Sequence, residues 1–477
     1  MAVNPFYLGT FVVYLVIVLG IGVWGYTKTD TVEDFWVYGR DLGPWLATWS
    51  FVANFVSAVS VIGFIGAVYG GGYAIMTGIV FGLMLGISAL YFVVHKVREL
   101  NQVTLPDIIA EVTGREWARP IAATVLLGNA WVYLIMQLVG ASLLVTTITG
   151  VPYKYMVWVI GVVFIAYTVL GGLVSVAWTD LLQGTLMVGT VFVALAYMAL
   201  DLGGITAINS QFAAMDPANV APLGKGTYTA IGVVGSIVAF FGTIFTGGNY
   251  IIRINATRDV RTAKFHLAAS GVILSVFYAA LVWLGGATTV ALDGTGLSVD
   301  NVDKAFPVLI TEYLPTEIGV VIILAVMSAI LSTTDTRLHT TGVTTSNDLY
   351  DYFASDVSND QKLKVSRYAT IFFGLTATAV AVNPPGTIIT LYTFRAILLT
   401  SAFLLPVYAA LYWRGLDGRA VLASMSLGAI LGVGWKLGGE FFSVPATFVG
   451  VGTALLVLIV GHFIWAEKPA AQTVASD

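Results

Sequence analysis

In the stretch Val326-Met327-Ser328-Ala329-Ile330-Leu331-Ser332-Thr333-Thr334-Asp335 an apolar run turns abruptly polar. Gly319 to Ala325, just before it, is wholly aliphatic or glycine, as a membrane span would be. Hydroxyls and a carboxylate at membrane depth must find partners inside the protein, because lipid offers none. Neutral oxygens one helical turn apart suit a small hard cation. The chemistry expected here is ion binding in a transport site.

A plainer reading competes. Ser332 could bond back to the carbonyl of Ser328, as hydroxyls in membrane helices often do. Hydroxyls also join neighbouring helices. The rest of the chain has to decide between these.

Hydrophobic residues make up 58% of the 477 residues and charged ones 10%, against about 25% charged in soluble domains. That excludes a soluble protein. The 22 Lys and Arg against 26 Asp and Glu are too balanced for a nucleic-acid partner. With no Cys there is neither a disulfide nor a thiolate metal site. Met1 to Tyr26 carries no basic residue before its apolar run, so it reads as a retained first span rather than a secretory signal. The tail after Trp465 is short and polar.

Apolar segments, each able to cross a ~30 Å hydrocarbon core, suggest about 13 spans. They are centred near residues 6–26, 45–70, 75–97, 120–148, 153–172, 179–200, 229–250, 265–290, 317–339, 366–383, 387–412, 419–438 and 446–466. Turn residues punctuate them, as at Val151-Pro152, Gly171-Gly172 and Asn383-Pro384-Pro385-Gly386. The longest intervening stretches, around 201–228 and 340–365, leave room for loops or short helices. With the N-terminus outside, 17 of the 22 Lys and Arg fall on cytoplasmic segments, Arg253, Arg337 and Arg414 among them. Lys154, Lys225, Lys304 and Lys436 fall outside, and Arg395 sits within a span. This asymmetry favours an extracytoplasmic N-terminus and a cytoplasmic C-terminus.

The second span holds Ala53-Asn54-Phe55-Val56-Ser57, then Gly63, Gly66 and Gly70-Gly71-Gly72. Glycines in a membrane helix often mean close packing. A polar patch in midspan also marks a discontinuous helix whose freed carbonyls line a cavity. Further motifs are Val176-Ala177-Trp178-Thr179-Asp180-Leu181-Leu182-Gln183-Gly184, Asn347-Asp348-Leu349-Tyr350 after Ser332-Thr333, and Tyr412-Trp413-Arg414. Together they resemble the signature of the sodium/solute symporter family, over about residues 8 to 435. Val103-Thr104-Leu105-Pro106-Asp107 and Ile148-Thr149-Gly150-Val151-Pro152-Tyr153 resemble its pantothenate branch more loosely.

The resemblance implies an all-α integral membrane protein with a five-plus-five inverted repeat, one helix before it and two after. On this chain the repeats would occupy about 42–200 and 229–413 of a single 1–477 transporter domain, with 6–26, 419–438 and 446–466 peripheral. It further implies a sodium site at the carbonyls of Ala53, Val56 and Ala329 and the hydroxyls of Ser332 and Thr333. Five neutral oxygens suit an ion that must be released in every cycle. Ser57, Ser60, Phe241 and Phe245 would fall at the substrate pocket and gate; for the two phenylalanines plain packing is the alternative. Phe55 stands where proline-transporting relatives carry Asp, and Ser60 near where sugar-transporting ones carry Gln. On the seventh span Gly247-Gly248-Asn249-Tyr250 replaces the more usual Gln-containing turn.

Arg395 lies ten residues past Pro385, about 15 Å of helix, too deep for easy snorkelling. It either attracts an anionic substrate or has a structural partner inside the bundle. Asp180, read as a helix start, either caps that helix or contacts a second cation. The four histidines lie near span ends, and neither His-Glu-x-x-His nor Gly-x-Ser-x-Gly occurs. Gly224-Lys225-Gly226-Thr227 lacks the leading glycine of a phosphate loop, so ATP-driven pumping is unsupported. The expectation is a sodium-coupled symporter of a prokaryotic inner membrane, not an enzyme, whose partners are Na⁺, a small solute and the bilayer. No cofactor is expected beyond Na⁺ as coupling ion. A gated channel is the alternative.

Overall fold

The structure is a computed structural model that describes residues 41–99, 105–170, 173–224, 229–354, 357–413 and 415–465, with five further positions between 9 and 20. The first expected span, Gly171-Gly172, Lys225 to Thr227, Arg414 and the polar tail therefore lie wholly or mostly outside the described residues. Of 167, 170 and 173–179 only the backbone is described.

Every later expected span is helical. The second is broken: α1 (Pro44–Phe55) leads through a π-helical turn, Val59–Gly63, into α2 (Phe64–Gly71), with a bend of 52°. Pro44 starts α1 at a position whose N–H would be unbonded anyway. Next come α3 (Phe81–Glu99), the amphipathic α4 (Leu105–Thr113), α5 (Ala118–Thr149), α6 (Tyr153–Leu170), α7 (Leu173–Asp201) and the short α8 (Ile205–Met215). The seventh span is broken too, into α9 (Ala230–Phe245) and α10 (Gly248–Asn255), with Gly247 extended between them. Then follow α11 (Val260–Gly294), α12 (Ala305–Glu312), α13 (Thr316–Val343), α14 (Asn359–Ala381), α15 (Ile388–Tyr412), α16 (Gly418–Leu437) and α17 (Ala446–Trp465).

Among the described residues nine helices are long and apolar enough to cross a membrane, or ten if the bent pair counts as one span. Tyr153–Ala166 is a shorter apolar stretch. Helix α13 outruns its expected end, continuing through a π-helical turn at Thr344–Tyr350. Helix α7 begins before the expected span, so Asp180 lies well inside it and is not a cap.

Broken α1 packs against α7, α11 and α13, α7 also packs against α11 and α13, and α5 packs against α13. Helices α16 and α17 pack together and onto α15 at the periphery. One continuous cluster of buried apolar residues joins the bundle. The polar residues of interest sit inside it rather than on a surface.

Candidate functional site

The break in α1 frees backbone groups that must be satisfied where no water or lipid headgroup reaches. Val56 is extended, at φ −93° and ψ 135°, so its carbonyl leaves the helix ladder. The Thr333 hydroxyl lies 3.0 Å from that carbonyl and 2.9 Å from the carbonyl of Ala329, one turn earlier on α13. Nearby, the Ala58 N–H donates to Gln137 Oε1 at 3.1 Å, and the Val59 N–H to Ser57 Oγ at 3.2 Å.

Two glycines let the partner helices come this close. A Cβ on Gly140 of α5 would lie 2.6 Å from that of Ala58, at the break, one turn beyond Gln137. On Gly184 of α7 it would lie 3.0 Å from that of Ala53. The same approach sets Asp180, one turn before Gly184, against α1. Ala53 itself is buried in the last turn of α1.

Ser332 faces Asp180 instead of the break. Its hydroxyl donates to Oδ1 at 2.7 Å, while Ser50 Oγ (2.8 Å) and Arg253 Nη2 (3.0 Å) donate to Oδ2. Asp180 and Arg253 are both buried, an ion pair inside the bundle. Arg253 Nε also donates to Ser50 Oγ and its carbonyl, and Nη2 to Thr336 Oγ1. Of the five oxygens expected at one site, those of Val56, Ala329 and Thr333 meet at the break, Ser332 joins the carboxylate, and Ala53 stays in the last turn of α1.

In the break is Ser57, which accepts from Tyr133 at 2.8 Å, and in the π-turn that follows is Ser60, bonded to Tyr278 at 2.7 Å. Phe241 stacks on Phe245 (ring centroids 5.2 Å apart), and Phe245 on Tyr408 (3.7 Å). It is the neighbouring Phe240 that contacts Tyr392, at 5.0 Å. Arg395 is buried beside the rings of Tyr133 and Tyr392.

Two residues escaped the sequence reading. Arg253 and Arg337, counted there with the cytoplasmic cations, are 1% and 3% exposed inside the bundle. Both lie near span ends, Arg253 in a stretch that also holds Arg258, Arg261 and Lys264, so charge counting groups them with the surface. The signal available for Arg337 was its place one helical turn beyond Thr333, on the same face.

The model of the Sodium:solute symporter family matches residues 35–428. The chain is 27% identical to the sodium/pantothenate symporter of Escherichia coli, over 98% of each chain. It is 26% identical to the high-affinity proline transporter PutP of Bacillus subtilis, over 88% of this chain and 90% of that one. Among solved structures, its fold is shared with a substrate-bound, outward-open Na⁺-coupled sialic acid symporter. That match has a TM-score of 0.79 at 19% identity, over 96% of this chain and 98% of that one. A weaker match, TM-score 0.54 at 13% identity, covers 91% of this chain and 94% of Mhp1, a nucleobase-cation-symport-1 family transporter in a closed conformation.

Proposed function

The chain belongs to the sodium:solute symporter family and is a sodium-coupled, multi-pass membrane transporter, not an enzyme; from that premise we propose that it imports a small anionic organic solute by alternating access. Na⁺ is its coupling ion rather than a resident cofactor. The observation that carries the ion site is the meeting of the Val56 carbonyl, the Ala329 carbonyl and the Thr333 hydroxyl at the helix break. With the hydroxyl proton rotated aside, the Thr333 oxygen has two carbonyl oxygens within 3.0 Å, three neutral donors of the kind that suit Na⁺. Ala53 completes the proposed set at the break as the two helices shift, while Ser332 is proposed to ligate sodium at the second position, beside Asp180.

Asp180 is the proposed second cation contact, with Ser332 and Ser50 supplying neutral oxygens beside it. Arg253 balances this carboxylate, 3.0 Å away. A cation there would push Arg253 toward Thr336 and the Ser50 carbonyl, which it already touches. Arg395 is the proposed anion contact, and Ser57, Ser60, Phe241 and Phe245 are proposed to form the pocket and gate.

Two interrupted spans, the second and the seventh, support repeats over about 42–200 and 229–413 within one 1–477 domain. Thirteen spans, with the N-terminus outside, are supported by the Lys and Arg asymmetry even without the two buried arginines. A reporter fused after Asp477 should be active only in the cytoplasm.

The test of function is uptake of labelled anionic, zwitterionic and neutral solutes into proteoliposomes with an imposed sodium gradient. An anion should accumulate and show counterflow, and Arg395→Gln should weaken its binding more than that of sodium. Sodium-driven uptake confined to neutral solutes would overturn the anionic reading.

A further inference from the structure

Two buried guanidiniums flank one tyrosine. The Cζ of Arg337 lies 4.5 Å from the ring centroid of Tyr133, and that of Arg395 lies 4.7 Å from it. Neither arginine forms an ion pair among the described residues; the buried pair of this region joins Arg253 to Asp180. Arg337 donates through Nη1 to Asn249 Oδ1 at 2.7 Å. Nε and Nη2 of both arginines are buried and without a hydrogen-bond partner.

Those unpartnered atoms form a pattern. Nε and Nη2 make one edge of a guanidinium, whose two parallel N–H bonds match the two oxygens of a carboxylate. Each arginine keeps that whole edge free. A cation facing an aromatic ring recovers some of what burial costs, but not the hydration of two like charges held side by side. Membrane proteins keep such groups for a ligand or a partner, and among the described residues no carboxylate fills that part.

We propose that the free edges of Arg337 and Arg395 each take one carboxylate of a small dicarboxylate, which lies against Tyr133. This deepens the anionic reading built on Arg395 and rests on it. Tyr392, 6.5 Å from Tyr133 between ring centroids, and Phe240 beyond it supply apolar walls for the carbon chain.

The placement also couples solute to ion. Thr333 and Arg337 are four residues apart on α13 and share a face, so Na⁺ at the break sits one turn from a guanidinium. In a site shielded from water the two cations repel. A dianion between them removes that penalty, so each ligand raises the affinity for the other, reciprocally.

Binding to the full-length protein in lipid nanodiscs tests this. The probes are unbranched dicarboxylates of two to six carbons, each beside its own monoamide, in sodium and in choline buffer. At least one diacid should bind about tenfold or more tightly than its monoamide, and only in sodium. Arg337→Gln and Arg395→Gln should each bring that diacid to the level of its monoamide. Each removes an unpaired buried charge, so both variants should melt no lower than the parent. Arg337→Lys keeps the charge without the edge and should recover only part of the preference.

If monoamides bind as well as diacids, or Arg337→Gln leaves their ratio unchanged while Arg395→Gln still weakens both, the two-carboxylate assignment is wrong and the anionic reading survives. If no acid of the series binds, or Arg395→Gln changes nothing, both fall together.

Discussion

At the scale of single residues the ion site turns on Thr333, whose hydroxyl bridges the two carbonyls at the break. Thr333→Ala should raise the sodium concentration for half-maximal uptake about five- to tenfold, equivalent to losing one neutral ligand worth roughly 1 kcal/mol. Thr333→Ser should stay near the parent, and Ile330→Ala should leave sodium activation unchanged. Equal sodium activation in Thr333→Ala would make the hydroxyl a packing device. These hydroxyls were legible in sequence because they interrupt a run that is otherwise apolar. Arg337 was not, because a cation near the end of a span looks the same whether it reaches water or turns inward. Ser332 was read as an ion ligand, yet its hydrogen bond goes to Asp180, 152 residues away in the chain. No local pattern records such a distance.

At the scale of helices, most spans could be read from apolar length, whereas their ends could not. Helix α13 runs on because Thr340, Thr341 and Thr345 bond their hydroxyls to backbone carbonyls within the helix, so polar side chains there do not stop it. The break in α1 was visible as a polar midspan patch, but what holds it open belongs to α5 and α13. Gly140 is the contact to test. Gly140→Ala would set a methyl 2.6 Å from the Ala58 Cβ, moving α5 and with it Gln137, which satisfies the Ala58 N–H. Overpacking of this kind costs about 1–3 kcal/mol. Uptake and melting temperature should both fall, and adding Ala58→Gly should restore much of each. A Gly140→Ala protein with normal uptake would show that α5 does not set the break.

A second contact between elements is expected to depend on pH. Asp303 lies in the short turn Val302–Lys304 before α12, outside the spans, and accepts the Ile388 N–H at the start of α15 at 3.0 Å. Burial pushes its carboxyl up from 3.8 to about 6, the Ile388 bond opposing this only in part. Tyr153 faces it from α6, while neighbouring Lys304 is held by Asp300. Between those two pKa values the folded protein keeps a proton that the unfolded chain has lost. Stability therefore falls as pH rises through this window and levels off above about 6. Melting temperatures from pH 4 to 7.5 should show the fall, and Asp303→Asn should flatten it. An unchanged pH profile in Asp303→Asn would assign the dependence elsewhere.

For the whole molecule, the charge moved per cycle ties the ion site to the anion site. A tenfold sodium gradient supplies about 1.4 kcal/mol per ion, and one charge crossing ~100 mV is worth about 2.3 kcal/mol. A dianion carried with one Na⁺ would take net negative charge into a negative interior, costing more than the gradient returns. With two Na⁺ the cycle is electroneutral, and about 2.8 kcal/mol sustains roughly hundredfold accumulation. Accumulation of a dicarboxylate therefore requires at least two ions. The break offers one position, and Asp180 with Ser332 and Ser50 offers the other. The expected result is sodium activation with a Hill coefficient near 2 and no current in voltage-clamped proteoliposomes. Ser332→Ala should lower that coefficient toward 1 by weakening the second position, whereas Thr333→Ala should shift the half-saturating concentration. A steady inward positive current would call for a third ion or a monoanionic solute. A Hill coefficient that Ser332→Ala leaves at 2 would return Asp180 to a purely structural pairing with Arg253.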